Sequence, residues 1–200
     1  MQWFTRHPRW RAPQILLLLV AGAVACREQP WHGITMDPPS PAPPLTLAGA
    51  ADDPATRLEL SALGGQVVLV YFGYTHCPDV CPTTLADWAR AKRALGADTA
   101  GVRWVFVSVD PTRDTPGDAH RYAEQFDPAF DGTAVSEAEL APMLKDWGIA
   151  AYPEGDPRSP DYTVAHPAHS FVVDGTGRLR LMIPPGVRGE QIADDLRRLR

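Results

Sequence analysis

The chain has 200 residues, enough for one domain of ordinary size with additional sequence at one end. Hydrophobic residues make up 44% and charged residues 22%, as in folded globular chains, although 21 prolines argue against uniform secondary structure. The formal net charge is −5 and no run is rich in lysine or arginine, which argues against nucleic acid as a partner.

Residues 1–25 have the pattern of an export signal. Arg6, Arg9 and Arg11 precede an apolar run from Ile15 to Ala25, which is shorter than the roughly 20 apolar residues that a membrane-spanning helix needs. Because this segment carries three arginines and no acidic residue, its removal takes the formal net charge to −8. We therefore expect an exported protein that faces the periplasm or the cell exterior.

The residue that follows this signal is Cys26. Together with Ala23-Val24-Ala25 it resembles the lipobox of bacterial lipoproteins, in which the cysteine is lipidated and becomes the first mature residue. An ordinary signal peptide or a short membrane anchor with an incidental cysteine is the alternative. Lipidation would leave only Cys77 and Cys81, so that no thiol lacks a partner in an oxidising compartment. We therefore expect a membrane-anchored lipoprotein.

Residues 26–44 are rich in proline, which favours extended polyproline conformations over a packed core. The prolines are Pro30, Pro38, Pro39, Pro41, Pro43 and Pro44. We interpret this segment as a tether, and we expect the folded domain to occupy residues 45–200.

The remaining chain alternates strand and helix patterns. We first predict a short strand near Arg57 to Leu60, a turn at Gly64-Gly65, a strand from Val67 to Phe72 and a helix from Pro82 or Thr83 to Leu95. A strand from Arg103 to Val109 follows, and then capped helices that start near Thr115 and Ser136. The chain ends with a hairpin of Ser170 to Val173 with Leu179 to Ile183 and a helix from Gly189 to Leu199. Val67 to Phe72 is continuously apolar, which is typical of a central strand covered on both faces. This order predicts an α/β, thioredoxin-like fold: one mixed sheet flanked by helices in a single domain.

Cys77 and Cys81 lie between a buried strand and a helix, where open α/β sheets place their sites. Residues four apart on a helix face the same side, and the positive helix N-terminus favours thiolates. Reversible disulfide exchange, a structural disulfide and binding of a soft metal all use such a pair. Two thiolates leave zinc short of its usual four ligands, whereas two cysteines and one histidine suffice for Cu(I).

Two segments resemble the signatures of the Sco/SenC family. They are Tyr71 to Leu85, YFGYTHCPDVCPTTL, and Val107 to Pro116, VSVDPTRDTP. Members of this family are membrane-tethered, thioredoxin-like copper proteins that assist assembly of the CuA centre of cytochrome c oxidase. The resemblance spans about Trp31 to the C-terminus. It implies a copper metallochaperone that handles Cu(I) or Cu(II), whose main partner is the oxidase subunit carrying CuA, with other copper chaperones or thioredoxin-like reductants as further partners.

The resemblance implies that His166 is the third copper ligand beside Cys77 and Cys81. The family pattern Tyr-x-Val-Asp-His is matched by Tyr162 to His166, except that Ala165 replaces the aspartate. His169 is the rival, and we expect it to be a packing residue. In the oxidised form the two cysteines would form a Cys77–Cys81 disulfide.

A thiol-disulfide oxidoreductase that reduces the cysteines of a copper-receiving partner is the alternative function. Cys77 and Cys81 would then be the catalytic redox pair, and His166 would not be required. Three further predictions concern neighbouring residues. His76 supports the site or packs beside it, Asp79 either contacts a partner or favours the helix dipole, and Asp110, Arg113 and Asp114 fix the adjacent loop.

Overall fold

The computed structural model describes residues 29–47 and 58–200. The predicted signal, residues 1–25, and Cys26 lie outside the described residues. Trp31–Arg200 forms one compact unit. None of the helices in the described part of the chain combines the length and apolar character needed to cross a membrane.

The strands and helices of the described residues have the following bounds. The strands are β1 (Ile34–Pro41), β2 (Thr46–Leu47), β3 (Leu58–Glu59), β4 (Val67–Gly73), β5 (Val102–Ser108), β6 (Phe130–Ala134), β7 (Tyr152–Glu154), β8 (Thr163–Ala165), β9 (Ser170–Val173) and β10 (Arg178–Ile183). The helices are α1 (Val80–Leu95), α2 (Pro116–Glu124), α3 (Glu137–Asp146) and α4 (Gly189–Arg197), with 3-10 helices at Leu60–Leu63 and Gly96–Gly101.

Six strands form the central sheet in the order β1-β10-β9-β4-β5-β6. Strands β4, β5 and β6 are parallel, whereas β9 runs antiparallel to β4 and β10 antiparallel to β9. The sheet is therefore mixed, with the all-buried strand β4 near its middle.

Helical segments cover both faces of β4. Tyr71 packs edge-on against Trp88 of α1, with ring centroids 6.2 Å apart. The next residue, Phe72, packs against Trp147, which directly follows α3, at 5.1 Å. Successive side chains of a strand point to opposite faces, so each face of the sheet has its own cover. The predicted thioredoxin-like fold is confirmed.

The predicted helix starts at Thr115 and Ser136 are also confirmed. The Thr115 hydroxyl accepts a hydrogen bond from the backbone N–H of Asp118 at 3.1 Å, and the Asp118 carboxylate accepts from the backbone of Thr115. At α3 the Glu139 carboxylate accepts hydrogen bonds from the backbone N–H and the hydroxyl of Ser136 at 3.1 Å and 2.6 Å. Helix α1, in contrast, begins at Val80, two or three residues before the predicted start at Pro82 or Thr83.

The predicted tether at residues 26–44 is wrong over Ile34–Pro41, which forms the edge strand β1. Ile34 pairs with Met182, and Pro41 pairs with Arg178. The register shifts between Thr35 and Ser40, so the prolines inside this interval fall where the ladder is irregular. Edge strands and bulges are where sheets tolerate proline. The folded domain therefore begins near Trp31 rather than at residue 45.

Strand β6 was not predicted, because its sequence FDGTA carries an Asp-Gly pair that is typical of turns. It forms through a close approach of helix α2. A Cβ atom at Gly132 would lie 2.1 Å from the carbonyl oxygen of Ala119. The small hairpin of β7 and β8 was also missed, although Tyr152 pairs with Ala165 there.

Candidate metal centre

The candidate site lies at the carboxyl end of β4. Cys77 and Cys81 follow this strand, at the start of helix α1. Strand β9 is antiparallel to β4, and its first residue, Ser170, is opposite Tyr71. The loop that precedes β9 is therefore brought beside the cysteines, and it carries His166.

The structure brings the three predicted ligand residues together. His166 Nε2 lies 3.5 Å from Cys81 Sγ and 4.0 Å from Cys77 Sγ. The three donor atoms all lie within 4.8 Å of one another. Among the described residues, no other group of three or more His, Cys, Asp or Glu side chains lies close enough together to hold a metal ion. Both cysteines are free thiols here.

The sulfur of Cys77 caps helix α1. It accepts a hydrogen bond from the backbone N–H of Cys81 at 3.5 Å, whereas Asp79, at the N-cap position, makes no side-chain cap. The hydrogen bond from the Cys81 thiol lowers the pKa of Cys77, and hydrogen bonds from the backbone N–H groups of Asp79 and Cys81 lower it further, against the opposing effect of burial. The lowered pKa makes Cys77, rather than Cys81, the sulfur of the pair that loses its proton more readily.

Cys81 is fully buried, and this burial is the main reason that its pKa is raised. Its hydrogen bond to the Cys77 sulfur raises the pKa further. Its sulfur lies directly over Gly73, where a Cβ atom would be 2.7 Å away. The Tyr71 hydroxyl donates a hydrogen bond to the same sulfur at 3.7 Å. Cys81 is therefore the more deeply buried sulfur of the pair, and Cys77 lies closer to the surface.

His166 is held so that one ring nitrogen faces the sulfurs. Its Nδ1 lies 3.1 Å from the carbonyl oxygen of Pro167. A carbonyl only accepts hydrogen bonds, so Nδ1 carries the proton and Nε2 has the free lone pair. The edges of Tyr71 and Tyr74 bracket the ring, with centroids 5.9 Å and 5.6 Å away. The carbonyl group of Pro167, the residue after the histidine, thus fixes the tautomer.

The loop before His166 is clasped by the segment after β5. Arg113 donates to the backbone carbonyls of Tyr162 at 2.9 Å and Pro160 at 3.1 Å. Its guanidinium also pairs with Asp110 at 2.6 Å and stacks 3.5 Å from the Tyr162 ring centroid. The Tyr162 hydroxyl donates to Asp110 at 2.5 Å. We call these three side chains, Asp110, Arg113 and Tyr162, the clasp.

Asp114 supports the other side of the site. Its buried carboxylate accepts hydrogen bonds from the backbone and hydroxyl of Thr75 at 2.8 Å and 2.6 Å, and from the Ser108 hydroxyl at 2.5 Å. These contacts tie the turn before Cys77 to the end of β5. The predicted supporting roles of Asp110, Arg113 and Asp114 agree with this arrangement.

The remaining histidines near the site are not in the group of donor atoms. His76 has a 55% exposed side chain, and its Nδ1 lies 3.0 Å from the Thr75 hydroxyl and 3.5 Å from Asp114. His169 packs edge-on against Phe171 at 4.7 Å, as predicted for a packing residue. Its Nε2 has no hydrogen-bond partner in the described part of the chain, and burial lowers its pKa. Asp79 is exposed beside the cysteines.

The three donors suit a soft metal ion. Thiolates prefer Cu(I) and Zn, and imidazole binds copper as well as zinc. A closed structural zinc site usually has four ligands, whereas this group provides three. A thioredoxin-like domain in which two thiols and one imidazole converge is thus a protein suited to hold a three-coordinate soft ion.

Comparison with known proteins places this chain in one family. The SCO1/SenC family model matches residues 48–200, so the chain belongs to the SCO1/SenC family. An SCO2-like protein of Rickettsia conorii is 32% identical over 117 residues, which cover 58% of this chain and 57% of the relative. The match therefore spans little more than half the length of that curated relative.

Two solved structures extend the comparison. ScoI of Bradyrhizobium japonicum, in a structure with copper bound, is 34% identical with a TM-score of 0.71, covering 80% of this chain and 100% of that one. BsSco, a member of the Sco family of cytochrome c oxidase assembly proteins in which a disulfide switch was identified, is 25% identical with a TM-score of 0.58. That match covers 80% of this chain and 95% of BsSco.

Sequence patterns missed the aromatic residues that surround the three donors. Tyr71 belongs to a continuous apolar strand and therefore reads as a core residue. Tyr74 and Tyr162 were included only as motif letters. No pattern in the sequence marks them: Tyr71 is placed beside the His166 loop by the antiparallel pairing of β9 with β4, which sets it opposite Ser170.

Proposed function

We propose that this protein is a copper metallochaperone that helps to assemble the CuA centre of cytochrome c oxidase. One copper ion is bound by Cys77 Sγ, Cys81 Sγ and His166 Nε2. The proposal rests on one observation, that these three atoms lie within 4.8 Å of one another. The ion is the cargo of the protein, and the oxidase subunit that carries CuA receives it.

Three observations support this proposal. The donor set is soft and three-coordinate, which suits Cu(I) better than zinc. The chain belongs to the SCO1/SenC family, and the related ScoI was solved with copper bound. The related BsSco belongs to a family of cytochrome c oxidase assembly proteins, which supports an oxidase as the partner of this chain. Cytochrome c oxidase, other copper chaperones and thioredoxin-like reductants remain the proposed partners.

The proposed location is the outer face of the cytoplasmic membrane. Residues 1–25 are the export signal in this proposal, and lipidated Cys26 is the first mature residue and the membrane anchor. The link from Cys26 to the domain is then short, because the domain begins near Trp31. Mass spectrometry of the mature N-terminus tests this: a diacylglyceryl group on Cys26 is expected, and an unmodified Cys26 would contradict it.

Anaerobic titration of the reduced protein with Cu(I), against a competing chelator, tests copper binding. We expect one equivalent per chain. His166→Ala should lower the affinity by more than about 100-fold, because even contacts outside the ligand sphere of metal sites contribute roughly 10- to 100-fold. Cys77→Ser should have at least the same effect.

His169→Ala is the matched control. It removes the same side chain three residues away, at a nitrogen outside the donor group, and should leave the Cu(I) affinity unchanged. Unaltered binding in His166→Ala or Cys77→Ser would contradict the proposed ligands. A loss in His169→Ala that equals the loss in His166→Ala would do the same.

One observation favours a second function, thiol-disulfide exchange. Cys77 is the more exposed thiol, at 9% against 0% for Cys81, and its pKa is lowered. Its thiolate would attack a partner disulfide and release one partner thiolate. Cys81 would then attack the mixed disulfide, forming the Cys77–Cys81 disulfide and releasing the second partner thiol. Two electrons pass to the partner, and a dithiol reductant restores the pair.

The variant His166→Ala separates the two functions. Thiol-disulfide exchange needs only the cysteine pair, so the variant should keep its rate of reducing a small disulfide while losing copper affinity. An exchange rate that falls together with copper affinity would count against a separate redox function.

A further inference from the structure

Tyr71 contacts two of the three donor residues at once. Its hydroxyl donates to Cys81 Sγ at 3.7 Å, and its ring meets the His166 ring edge-on, with centroids 5.9 Å apart and planes at 76°. The side chain is completely buried. Trp88 and Phe106 pack against the same ring, at 6.2 Å and 6.4 Å. The position of the hydroxyl is therefore fixed by the core rather than by the loop.

The hydroxyl acts where water is excluded. A buried donor without an acceptor is costly, so Tyr71 favours states in which the Cys81 sulfur accepts its hydrogen bond well. A thiol or thiolate sulfur is a better acceptor than a sulfur shared in a disulfide, because more electron density remains on it. The bond therefore stabilises the reduced pair relative to the oxidised pair.

We propose that Tyr71 is a positioning residue that holds the Cys81 sulfur through its hydroxyl and raises the reduction potential of the Cys77–Cys81 pair. The proposal for Tyr71 rests on the proposed function in one respect, that Cys77 and Cys81 are the functional cysteine pair. Reduction transfers two electrons and two protons to the disulfide from an added dithiol, which is itself oxidised to a cyclic disulfide. The same bond also withdraws electron density from the sulfur that would bind copper.

Tyr71→Phe tests this proposal, because it removes the hydroxyl and keeps the ring. The metal-free protein is equilibrated with reduced and oxidised dithiothreitol, and the fraction of Cys77–Cys81 disulfide is measured by thiol alkylation. We expect the equilibrium constant for reduction to fall about fivefold, the usual net contribution of one hydrogen bond. For two electrons this corresponds to about 20 mV toward a more negative potential.

Tyr122→Phe is the matched control. The Tyr122 hydroxyl is also buried and has no hydrogen-bond partner in the described residues, and its ring packs against Phe106 at 5.2 Å. Removing it takes away the same atom without a bond to sulfur, so the equilibrium with dithiothreitol should not change. A potential that is the same in Tyr71→Phe as in the parent protein would overturn the proposal, and so would an equal shift in both variants.

The parent protein allows a second measurement if Tyr71→Phe does not fold. A hydroxyl proton bound to a buried sulfur should give a slowly exchanging NMR resonance that shifts when the pair is oxidised. A Tyr71 hydroxyl proton that exchanges rapidly, or whose resonance is the same in both redox states, would overturn the proposal. Neither measurement uses copper. If the parent protein did not bind copper but Tyr71→Phe still shifted the reduction potential, the metallochaperone function would be refuted and the role of Tyr71 would stand.

Discussion

Gly73 is the residue at which the candidate metal centre has the least space. It ends strand β4, and a Cβ atom there would lie 2.7 Å from Cys81 Sγ and 2.9 Å from the Phe106 ring. Real Cβ contacts do not reach such distances, so the sulfur or the ring would have to move. The glycine in this motif is thus required by the sulfur that packs on it.

We expect Gly73→Ala to displace the Cys81 sulfur. Overpacking of this kind lowers the free energy of unfolding by about 1–3 kcal/mol, and Cu(I) affinity should fall by about tenfold or more because the donor atoms no longer converge. Urea unfolding and chelator competition measure the two effects. Gly64→Ala is the control, because a Cβ there meets no atom within 4 Å. Equal effects at both glycines would contradict this account.

The sequence predicted which residues form the candidate centre, but not their hydrogen bonds or the tautomer of the histidine. The spacing of Cys77 and Cys81 and the family motif around His166 predicted the three residues whose side chains the structure brings together. Two features were beyond it: that the Cys77 sulfur caps helix α1, and that Pro167 fixes the His166 tautomer. Both depend on loop conformation, which residue spacing does not determine.

At the scale of elements, the clasp joins two loops that lie far apart in sequence. Arg113 follows β5, whereas Tyr162 precedes β8 and the His166 loop. A planar guanidinium can pair with Asp110, donate to two carbonyls and stack on an aromatic ring at the same time, and an ammonium cannot. The clasp should therefore restrict where His166 lies.

We expect Arg113→Lys to weaken Cu(I) binding by roughly tenfold, as for other contacts that orient metal ligands. The dithiothreitol equilibrium of the metal-free pair should stay the same, since the clasp does not touch either cysteine. Chelator competition and thiol alkylation measure the two quantities.

Arg121→Lys is the control for this change. Arg121 lies on α2, is 67% exposed and pairs only locally with Asp118 in its salt bridge, so copper affinity should not change. If Arg113→Lys bound copper as tightly as the Arg121 variant, the clasp would have no role in positioning His166.

The strands that sequence patterns missed were those defined by their neighbours. Strand β6 contains Asp-Gly, and β1 contains several prolines, so local propensity favours turn and coil in both. Helix α2 packs on Gly132 and fixes β6, while β10 fixes β1. The buried strands β4 and β5 were predicted correctly, because their apolar runs need no such context.

At the scale of the whole molecule, the N-terminal strand is fastened to the C-terminal helix. The buried carboxyl group of Asp195 on α4 accepts hydrogen bonds from the backbone N–H groups of His32 at 3.1 Å and Gly33 at 2.8 Å. Next to them, the Arg198 guanidinium lies 3.6 Å from the Trp31 ring centroid. The two ends of the domain therefore stabilise each other, which a free tether would not do.

We compare a protein that begins at Gln29 with one that begins at Ala42. The shorter protein lacks β1 and the two backbone N–H groups that donate to the Asp195 carboxylate, so its free energy of unfolding should be lower by about 3 kcal/mol or more. Urea unfolding measures the difference. Equal stability of the two proteins would support the original interpretation of residues 26–44 as a tether.

In the proposed copper site, two sulfurs and one nitrogen of this chain bind one copper ion. X-ray absorption spectroscopy of the anaerobic Cu(I)-loaded protein tests it most directly, with His166→Ala and His169→Ala measured alongside. We predict two sulfur donors and one imidazole nitrogen in the parent protein and in His169→Ala, and loss of the imidazole in His166→Ala. A sulfur-only site in the parent protein, or an imidazole that persists in His166→Ala, would contradict the proposed centre.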